Sequence, residues 1–314
     1  MSGKKGYIIF GAGYEGRNIL KALGRDRVCY FCDNSQSGEV LGVQVIDFAT
    51  LREVHMDYDV ILGVQKKTAI EQISEQLSSC DIKYFLPTKV YETEGIDSVQ
   101  VKHDSELDFW KSVDFSSQNL KETDEHYKNI ILSIAGREDD DFLKDKVVAD
   151  FGCGPKGSLN WCKKSLMNIG IDVLSAQYTN EFGKDIIKQR MTYVACGEKY
   201  IPMPDESVDC LITMNSLDHV SDLKSMCDEI VRIMKPGAVL IGSFNLFEPA
   251  TACEPQSLTE ELLKEVLLGS FDIHSYRLSY VGDKNKYDNI LAEKYVESPD
   301  RSKPCILWAT GVKK

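Results

Sequence analysis

No apolar run in the sequence is long enough to cross a bilayer, and residues 1–5 lead directly into a strand-like run. Neither a membrane anchor nor a signal peptide is therefore expected. Positive charge is also scarce, because 37 lysines and arginines are outnumbered by 49 acidic residues, which gives a net charge of −12 at pH 7. Since nucleic-acid backbones are themselves anionic, we do not expect the chain to bind nucleic acid.

Cysteine is present but is not arranged for disulfides or zinc. Of ten cysteines, only Cys29 and Cys32 form a C-x-x-C pattern, and that pattern lies in a strand-like run. Three residues apart in a strand, the two side chains point to opposite faces. With no second cysteine pair, a structural zinc site lacks support. Scattered thiols of this kind favour a reducing, cytoplasmic location.

The length of 314 residues, of which 43% are hydrophobic, is enough for two domains with full cores. Strand-like and helix-like segments alternate in both halves, as is typical of parallel sheets covered by helices. The predicted fold class is α/β, with two doubly wound Rossmann-like domains. We expect a small first domain over residues 1–95, a helical connecting segment over 96–145 and a larger domain over 146–314.

The stretch VVADFGCGPKG at residues 147–157 organises the larger domain. Its first residues predict a buried strand that carries Asp150, and a helix is expected to open at Ser158. Glycine suits a turn in which the backbone approaches a ligand closely, since a Cβ would collide there. The glycines of this turn are Gly152, Gly154 and Gly157. On its own the pattern fits either a nucleotide-type ligand or a tight structural turn.

Further blocks follow in order. The first are a short strand ending at Asp172, a Pro-Met-Pro block at 202–204 and a strand at 210–214 leading into Asn215. A helix over 222–235 ending in Lys-Pro-Gly and a strand at 238–243 complete the series. This series, over roughly residues 120–314, resembles the class I S-adenosylmethionine (SAM)-dependent methyltransferases. That family's fold ends in an antiparallel strand pair, which the resemblance places at residues 270–277 and 304–310. The third glycine of the turn lies one position later than in the commonest form of the family.

The resemblance implies SAM as the cofactor and assigns residues to it. Asp150 would support the turn near the methionine amine, Asp172 would bind the ribose, and Glu198 would lie near the adenine. The residues lining the methionine end would be Gly152, Cys153, Gly154, Gly157 and Asn215. The residues facing the acceptor would be Asn245, Glu248 and Glu254. Because some sugar O-methyltransferases use magnesium, the resemblance leaves open a metal held by these acids, but no histidine-plus-acid spacing supports one strongly and none is predicted.

The connecting segment is polar and acidic, yet its apolar residues predict helices around 104–113 and 122–135. The resembled family commonly places such helices over the cofactor. Trp110 and Tyr127 would then cover SAM or the substrate, although packing is the commoner role of isolated aromatic residues. Near the carboxyl end, Ser257 is expected to cap a helix, and a polar insertion at 278–303 is expected to face the substrate.

The predicted catalytic residues are His219 and Asp218, in the loop after the strand at 210–214. Methyl transfer to a hydroxyl requires removal of the acceptor's proton as the new bond forms, and imidazole suits proton transfer near neutral pH. Adjacent side chains seldom both reach one substrate, so the two assignments compete. The alternative role of Asp218 is to cap the following helix.

The first domain contains its own glycine pattern, a G-x-G-x-x-G at residues 11–16. One interpretation is NAD(P) binding with Asp33 on the ribose, although the domain is short for a second mononucleotide half. The runs FGAG, FCDN and GVQV resemble the N-terminal domain of bacterial sugar acetyltransferases. That resemblance implies a nucleotide-linked sugar held by Gly11, Gly13, Gly16 and Asp33. A purely structural domain is the third interpretation.

Together these features predict a cytoplasmic SAM-dependent methyltransferase acting on a small molecule, with a sugar hydroxyl of a nucleotide-linked sugar or surface-glycan precursor as the first choice. One alternative is a methyltransferase for another small metabolite, in which the first domain serves to form a homo-oligomer. The other is an NAD(P)-dependent enzyme or sensor that uses the first glycine loop.

Overall fold

A computed structural model describes residues 4–282 and 285–314, without the side chains of Lys67 and Ser117. The chain divides into two compact units. The first consists of Met1–Glu106 with Thr251–Cys253, and the second consists of Leu107–Ala250 with Glu254–Lys314. Within the described ranges, no helix has both the length and the apolar character that a membrane span requires.

The first unit is built on a six-stranded sheet. Its strands are β1 (Tyr7–Phe10), β2 (Val28–Cys32), β3 (Gly38–Val40), β4 (Val43–Ile46), β5 (Asp59–Leu62) and β6 (Tyr84–Phe85). They lie in the order β3-β4-β2-β1-β5-β6, and only the β3–β4 pairing is antiparallel. The helices are α1 (Tyr14–Leu23), α2 (Phe48–Val54), α3 (Lys67–Ser78) and α4 (Pro87–Glu94), followed by α5 (Ser98–Lys111), which continues beyond residue 106.

The second unit is built on a seven-stranded sheet. Its strands are β7 (Val147–Phe151), β8 (Met167–Asp172), β9 (Thr192–Ala195), β10 (Val208–Met214), β11 (Met234–Leu246), β12 (Phe271–Tyr280) and β13 (Cys305–Lys313). Its helices are α6 (Ser117–Ala135), α7 (Ser175–Ile186), α8 (Leu223–Ile233), α9 (Glu260–Val266) and α10 (Asp288–Leu291). The strand order is β12-β13-β11-β10-β7-β8-β9, with β13 antiparallel to both neighbours. The predicted α/β class, with a closing antiparallel strand, is confirmed.

The arrangement of β7 and β10 positions the site. These two strands are parallel neighbours at the centre of the sheet, while the chain leaves β7 towards β8 on one side and β10 towards β11 on the other. Such a reversal opens a crevice at the carboxyl ends of the strands. Buried apolar residues on both faces, such as Val148 and Leu211, hold the two strands rigidly beneath it.

The helix expected at Ser158 is absent, and that prediction was wrong. Residues 158–166 form turns and bends that return the chain directly to β8. Two side chains take carbonyls that a helix would use: Trp161 Nε1 donates to Ser158 O at 2.7 Å, and Asn168 Nδ2 donates to Cys162 O at 2.9 Å. Side-chain hydrogen bonds to nearby backbone groups compete with helix formation in this way.

Several expected boundaries also differ. The connecting helices predicted around 104–113 and 122–135 both begin earlier, as α5 (Ser98–Lys111) and α6 (Ser117–Ala135). The Lys-Pro-Gly sequence lies inside β11, which begins at Met234, one residue after α8 ends. The cap of α9 is Thr259, whose side chain accepts from Leu262 N at 3.2 Å. Ser257 does not serve as that cap, because its hydroxyl donates to the backbone carbonyl of Glu248 at 2.6 Å.

Candidate functional site

The glycine turn after β7 uses a backbone conformation that other residues rarely adopt. Gly152, Gly154 and Gly157 have φ angles of +71°, +57° and +63°. A Cβ at position 152 would collide with the Cβ of Ser216. The Ser216 hydroxyl in turn donates to Phe151 O at 2.8 Å, which fixes the loop after β10 against the turn. The glycines are therefore required by geometry, and the turn is rigid.

Asp172, at the end of β8, lies against this turn. Its Oδ2 accepts from Gly154 N at 2.9 Å, and its Oδ1 accepts from Leu174 N at 2.9 Å. A carboxylate oxygen can accept more than one hydrogen bond. Asp172 can therefore hold the turn and still accept from the hydroxyls of a ligand.

Asp150 lies beneath the turn and is 1% exposed. Its Oδ2 accepts from Ser158 N at 2.9 Å. Burial raises the pKa of Asp150 to about 7, against the opposing effect of the Ser158 hydrogen bond. The group is therefore poised to gain or lose a proton near neutral pH.

A cavity of about 430 Å³ opens beside the turn, a size typical of small-molecule sites. It is lined by Trp110, Glu122, Thr123, His126, Tyr127, Cys153, Lys156, Gly157 and Asn285. The Trp110 ring also contacts the turn, since its Cζ2 lies 2.8 Å from where a Cβ at position 154 would be. Both aromatic residues predicted to cover the site therefore form part of the cavity wall.

Lys156 is the cation in that wall. It is 8% exposed, its Nζ donates to Asn119 Oδ1, and it lies 5.2 Å from the centre of the Phe115 ring. Burial lowers its pKa, and the nearby Asp114 opposes that shift. Lys156 was not predicted from the sequence, although it lies within the glycine stretch itself.

The loop after β10 carries a polar group on a strained residue. Asn215 is not a glycine, yet its φ is +50°, and its Nδ2 donates to the Tyr287 hydroxyl at 3.0 Å. Among the described residues its buried Oδ1 has no hydrogen-bond partner. The centre of the Tyr287 ring lies 5.6 Å from that of His126, which lines the cavity. Tyr287 and His126 thus connect the cavity to the β10 loop, and neither residue was predicted from the sequence.

Further polar residues meet at the ends of β10 and β11. Asp218 and Asn245 are each 3% exposed, and Asn245 Nδ2 donates to Asp218 Oδ2 at 2.8 Å. The Oδ1 atoms of both residues lack a partner within the described parts of the chain. His219 Nε2 lies 3.6 Å from Glu254 Oε1. Asp218 does not cap α8, because Asp222 does so by accepting from Ser225 N at 3.0 Å.

Two predicted residues of this unit, Glu198 and Glu248, lie outside that group of polar residues. Glu198 Oε2 accepts from Ser221 N at 3.3 Å, which places it at the β10 loop. Glu248 follows β11, and its backbone carbonyl accepts from Ser257. The structure thus brings four predicted residues into one polar cluster at the strand ends: Asp218, His219, Asn245 and Glu254.

The glycine loop of the first unit is explained largely by packing. A Cβ at Gly16 would collide with Gly11 O, whereas a Cβ at Gly13 would meet nothing within 4 Å. Asp33 Oδ2 accepts from Ala12 N at 2.9 Å. Burial acts to raise the pKa of the Asp33 carboxyl, but hydrogen bonds from the backbone outweigh burial and lower that pKa. Gly13 is therefore the position in this loop that faces open space.

Comparison with known proteins bears on the second unit. Residues 149–242 match a family model described as a methyltransferase domain. The chain is also similar to solved structures, among them the MccD protein, with 12% identity and a TM-score of 0.44 over 60% of this chain and 97% of that one. For a SAM-dependent methyltransferase from Aquifex aeolicus the identity is 18% and the TM-score 0.41, over 63% of this chain and 99% of that one. For a SAM-dependent methyltransferase from Mesorhizobium loti the identity is 14% and the TM-score 0.42, over 55% of this chain and 92% of that one.

The geometry of the second unit fits SAM. The matched residues begin within β7 and include the glycine turn, Asp172 and Asn215. The cavity beside the turn has room for a small molecule, and on the neighbouring β10 loop the buried Oδ1 of Asn215 lacks a partner among the described residues. The second unit therefore contains a methyltransferase domain, and this match supports SAM-dependent methyl transfer with SAM as the cofactor.

Proposed function

We propose that the methyl acceptor is a small molecule rich in hydroxyl groups, with a sugar on a nucleotide or on a surface-glycan precursor as the first candidate. One observation carries this proposal. The buried Oδ1 atoms of Asp218 and Asn245 are acceptors without partners in the described chain. Hydrogen-bond donors such as sugar hydroxyls would satisfy both atoms.

We propose that the glycine turn and the strand ends hold SAM. Asp150 and the turn residues would hold its methionine end, with Asn215 and Tyr127 beside it, while Asp172 would bind the ribose and Glu198 the adenine. SAM supplies a methyl group that is already activated. The protein's contribution is to align the acceptor with that methyl group and to exclude water.

The acceptor's proton would leave at the cluster of Asp218, His219, Asn245 and Glu254. His219 can assist in two ways: as the base that takes the proton, or as a ligand to a cation that makes the hydroxyl more acidic. Asn245 fixes one oxygen of Asp218, so the acceptor's hydroxyl would meet the other oxygen. Glu248 would face the acceptor from the loop after β11.

We propose that the first unit binds a nucleotide-linked sugar at the loop containing Gly11, Gly13 and Gly16. The open space at Gly13 supports a ligand there. Asp33 holds this loop through Ala12 N, as Asp172 holds the turn of the second unit through Gly154 N. NAD(P) would fit the same loop, and a structural or oligomerising unit would bind neither ligand.

Calorimetry with SAM, S-adenosylhomocysteine, NAD(H) and UDP-sugars tests both sites. We expect SAM and a UDP-sugar to bind, each with one site per chain. Asp33→Ala should weaken binding of the UDP-sugar alone, and Asp172→Ala should weaken binding of SAM alone, so each variant is the control for the other. Binding of NAD(H) combined with indifference to SAM would contradict the proposed function. Binding of SAM without any UDP-sugar would restrict the enzyme to another small acceptor.

Asp150 should couple SAM binding to proton release. With a pKa of about 7, this carboxyl is about half protonated at neutral pH. A cationic amine beside it favours the carboxylate, so binding should release a proton, and affinity should fall as the pH is lowered from 7.5 to 6. Calorimetry at pH 6.5 in two buffers of different ionisation enthalpy measures the release. Equal enthalpies in both buffers, or release that persists in Asp150→Asn, would contradict this coupling.

A further inference from the structure

We propose that Asp218, His219 and Glu254 form a binding site for a divalent cation. Each residue offers one ligand atom, and the three atoms lie within 4.8 Å of one another. Ligands bound to a common ion at about 2.1 Å stand about 3–4 Å apart, so the three side chains need to close by about 1–2 Å. This site was not expected from the sequence, in which Glu254 lies far from the Asp218–His219 pair.

A buried carboxylate oxygen supplies the second line of support. Asp218 is 3% exposed, and its Oδ2 accepts from Asn245 Nδ2 at 2.8 Å. Its Oδ1 has no hydrogen-bond partner in the described ranges. A buried, unsatisfied carboxylate oxygen is costly for the folded state, and a cation satisfies it directly.

The ligand types indicate which ion would bind. One imidazole with two carboxylates is a mixed nitrogen and oxygen set, which suits Mn²⁺ or Zn²⁺ better than Ca²⁺ or Mg²⁺, since the latter two prefer oxygen ligands alone. Three protein ligands leave positions open, as in sites that act on substrates. His219 and Glu254 are each partly exposed, with side-chain exposures of 37% and 35%, so a ligand can enter from solvent.

Asn245 would act as a positioning residue for this ion. Its amide donates to the Asp218 oxygen that would not bind the metal, and it therefore orients the carboxylate. Partners of this kind usually change metal affinity by about 10–100-fold when they are removed. With the ion bound, His219 would serve as a ligand and not as the base, and the acceptor's hydroxyls would reach the open positions.

Mn²⁺ binding to the full chain, without SAM or acceptor, tests the site independently of the proposed function. Titration followed by electron paramagnetic resonance measures the loss of the free-ion signal. We expect one site per chain, displaced by Zn²⁺. Asp218→Asn, His219→Ala and Glu254→Gln should each weaken it by roughly tenfold or more, and Asn245→Ala by a similar factor.

Matched controls separate this site from general attraction to an acidic protein. His274 and Glu265 are exposed residues of the same types on β12 and α9, and His274→Ala and Glu265→Gln should leave Mn²⁺ binding unchanged. Melting temperatures would verify that each variant is folded. Absence of saturable Mn²⁺ and Zn²⁺ binding would overturn the proposal. Binding that Asp218→Asn and Glu254→Gln leave unaltered would also overturn it.

Discussion

Replacing Asp172 by alanine is expected to weaken SAM binding by roughly a hundredfold. Hydrogen bonds to a charged group contribute about 1.5–3 kcal/mol each, and loss of the proposed ribose contacts would alone account for this factor. The variant also removes the acceptor for Gly154 N and Leu174 N, which loosens the turn. Isothermal calorimetry with SAM and with S-adenosylhomocysteine measures the change directly.

The matched control is Asp228→Ala. Asp228 is an exposed carboxylate on α8 that pairs with Lys224, and its removal should change SAM affinity by less than about twofold. Melting temperatures of both variants would distinguish loss of binding from loss of fold. If Asp172→Ala bound SAM as tightly as the unaltered protein, Asp172 would have no part in holding the cofactor.

Replacing His219 by alanine is expected to lower kcat by roughly 10²–10⁴-fold while SAM affinity stays unchanged. General acid–base groups contribute factors of this size, and loss of a metal ligand has a comparable effect. Turnover assays with a UDP-sugar that binds in calorimetry, together with calorimetry for SAM, separate the two quantities. His274→Ala, at an exposed position on β12, should keep full activity.

Comparison of His219→Ala with variants of Asp218 and Glu254 distinguishes the two roles of His219. If His219 is a metal ligand, kcat of Asp218→Asn and of Glu254→Gln should fall by most of the factor seen for His219→Ala. Added Mn²⁺ should then partly restore the activity of the variants. If it is the base, Glu254→Gln should lose much less. Turnover of His219→Ala within a few-fold of the unaltered protein, with unchanged SAM affinity, would exclude both roles.

The strands of the second unit could be predicted because apolar runs such as those of β7 and β10 are buried on both faces, which leaves a plain sequence signal. The expected helix at Ser158 failed for a reason that local pattern does not contain. Asn168, ten residues further on, takes a carbonyl that such a helix would need. Likewise β11 begins at Met234, because Met234 pairs with Val208 of β10 ahead of an irregularity in the pairing that contains Lys-Pro-Gly.

The candidate site was predictable only in part. Asp218, His219, Asn245 and Glu254 were each named from the sequence, but their meeting depends on β10 and β11 being neighbours. Tyr287 lies in the insertion expected to face the substrate, yet nothing in the sequence distinguishes it from the other tyrosines there. Its hydrogen bond with Asn215 connects residues far apart in the chain, and only the fold brings them together.

The most direct test is a crystal structure of the protein with S-adenosylhomocysteine. The account predicts a molecule bound against the turn that begins at Gly152, with its ribose hydroxyls within hydrogen-bond distance of the Asp172 carboxylate. A molecule bound away from that turn, or a ribose without contact to Asp172, would contradict it.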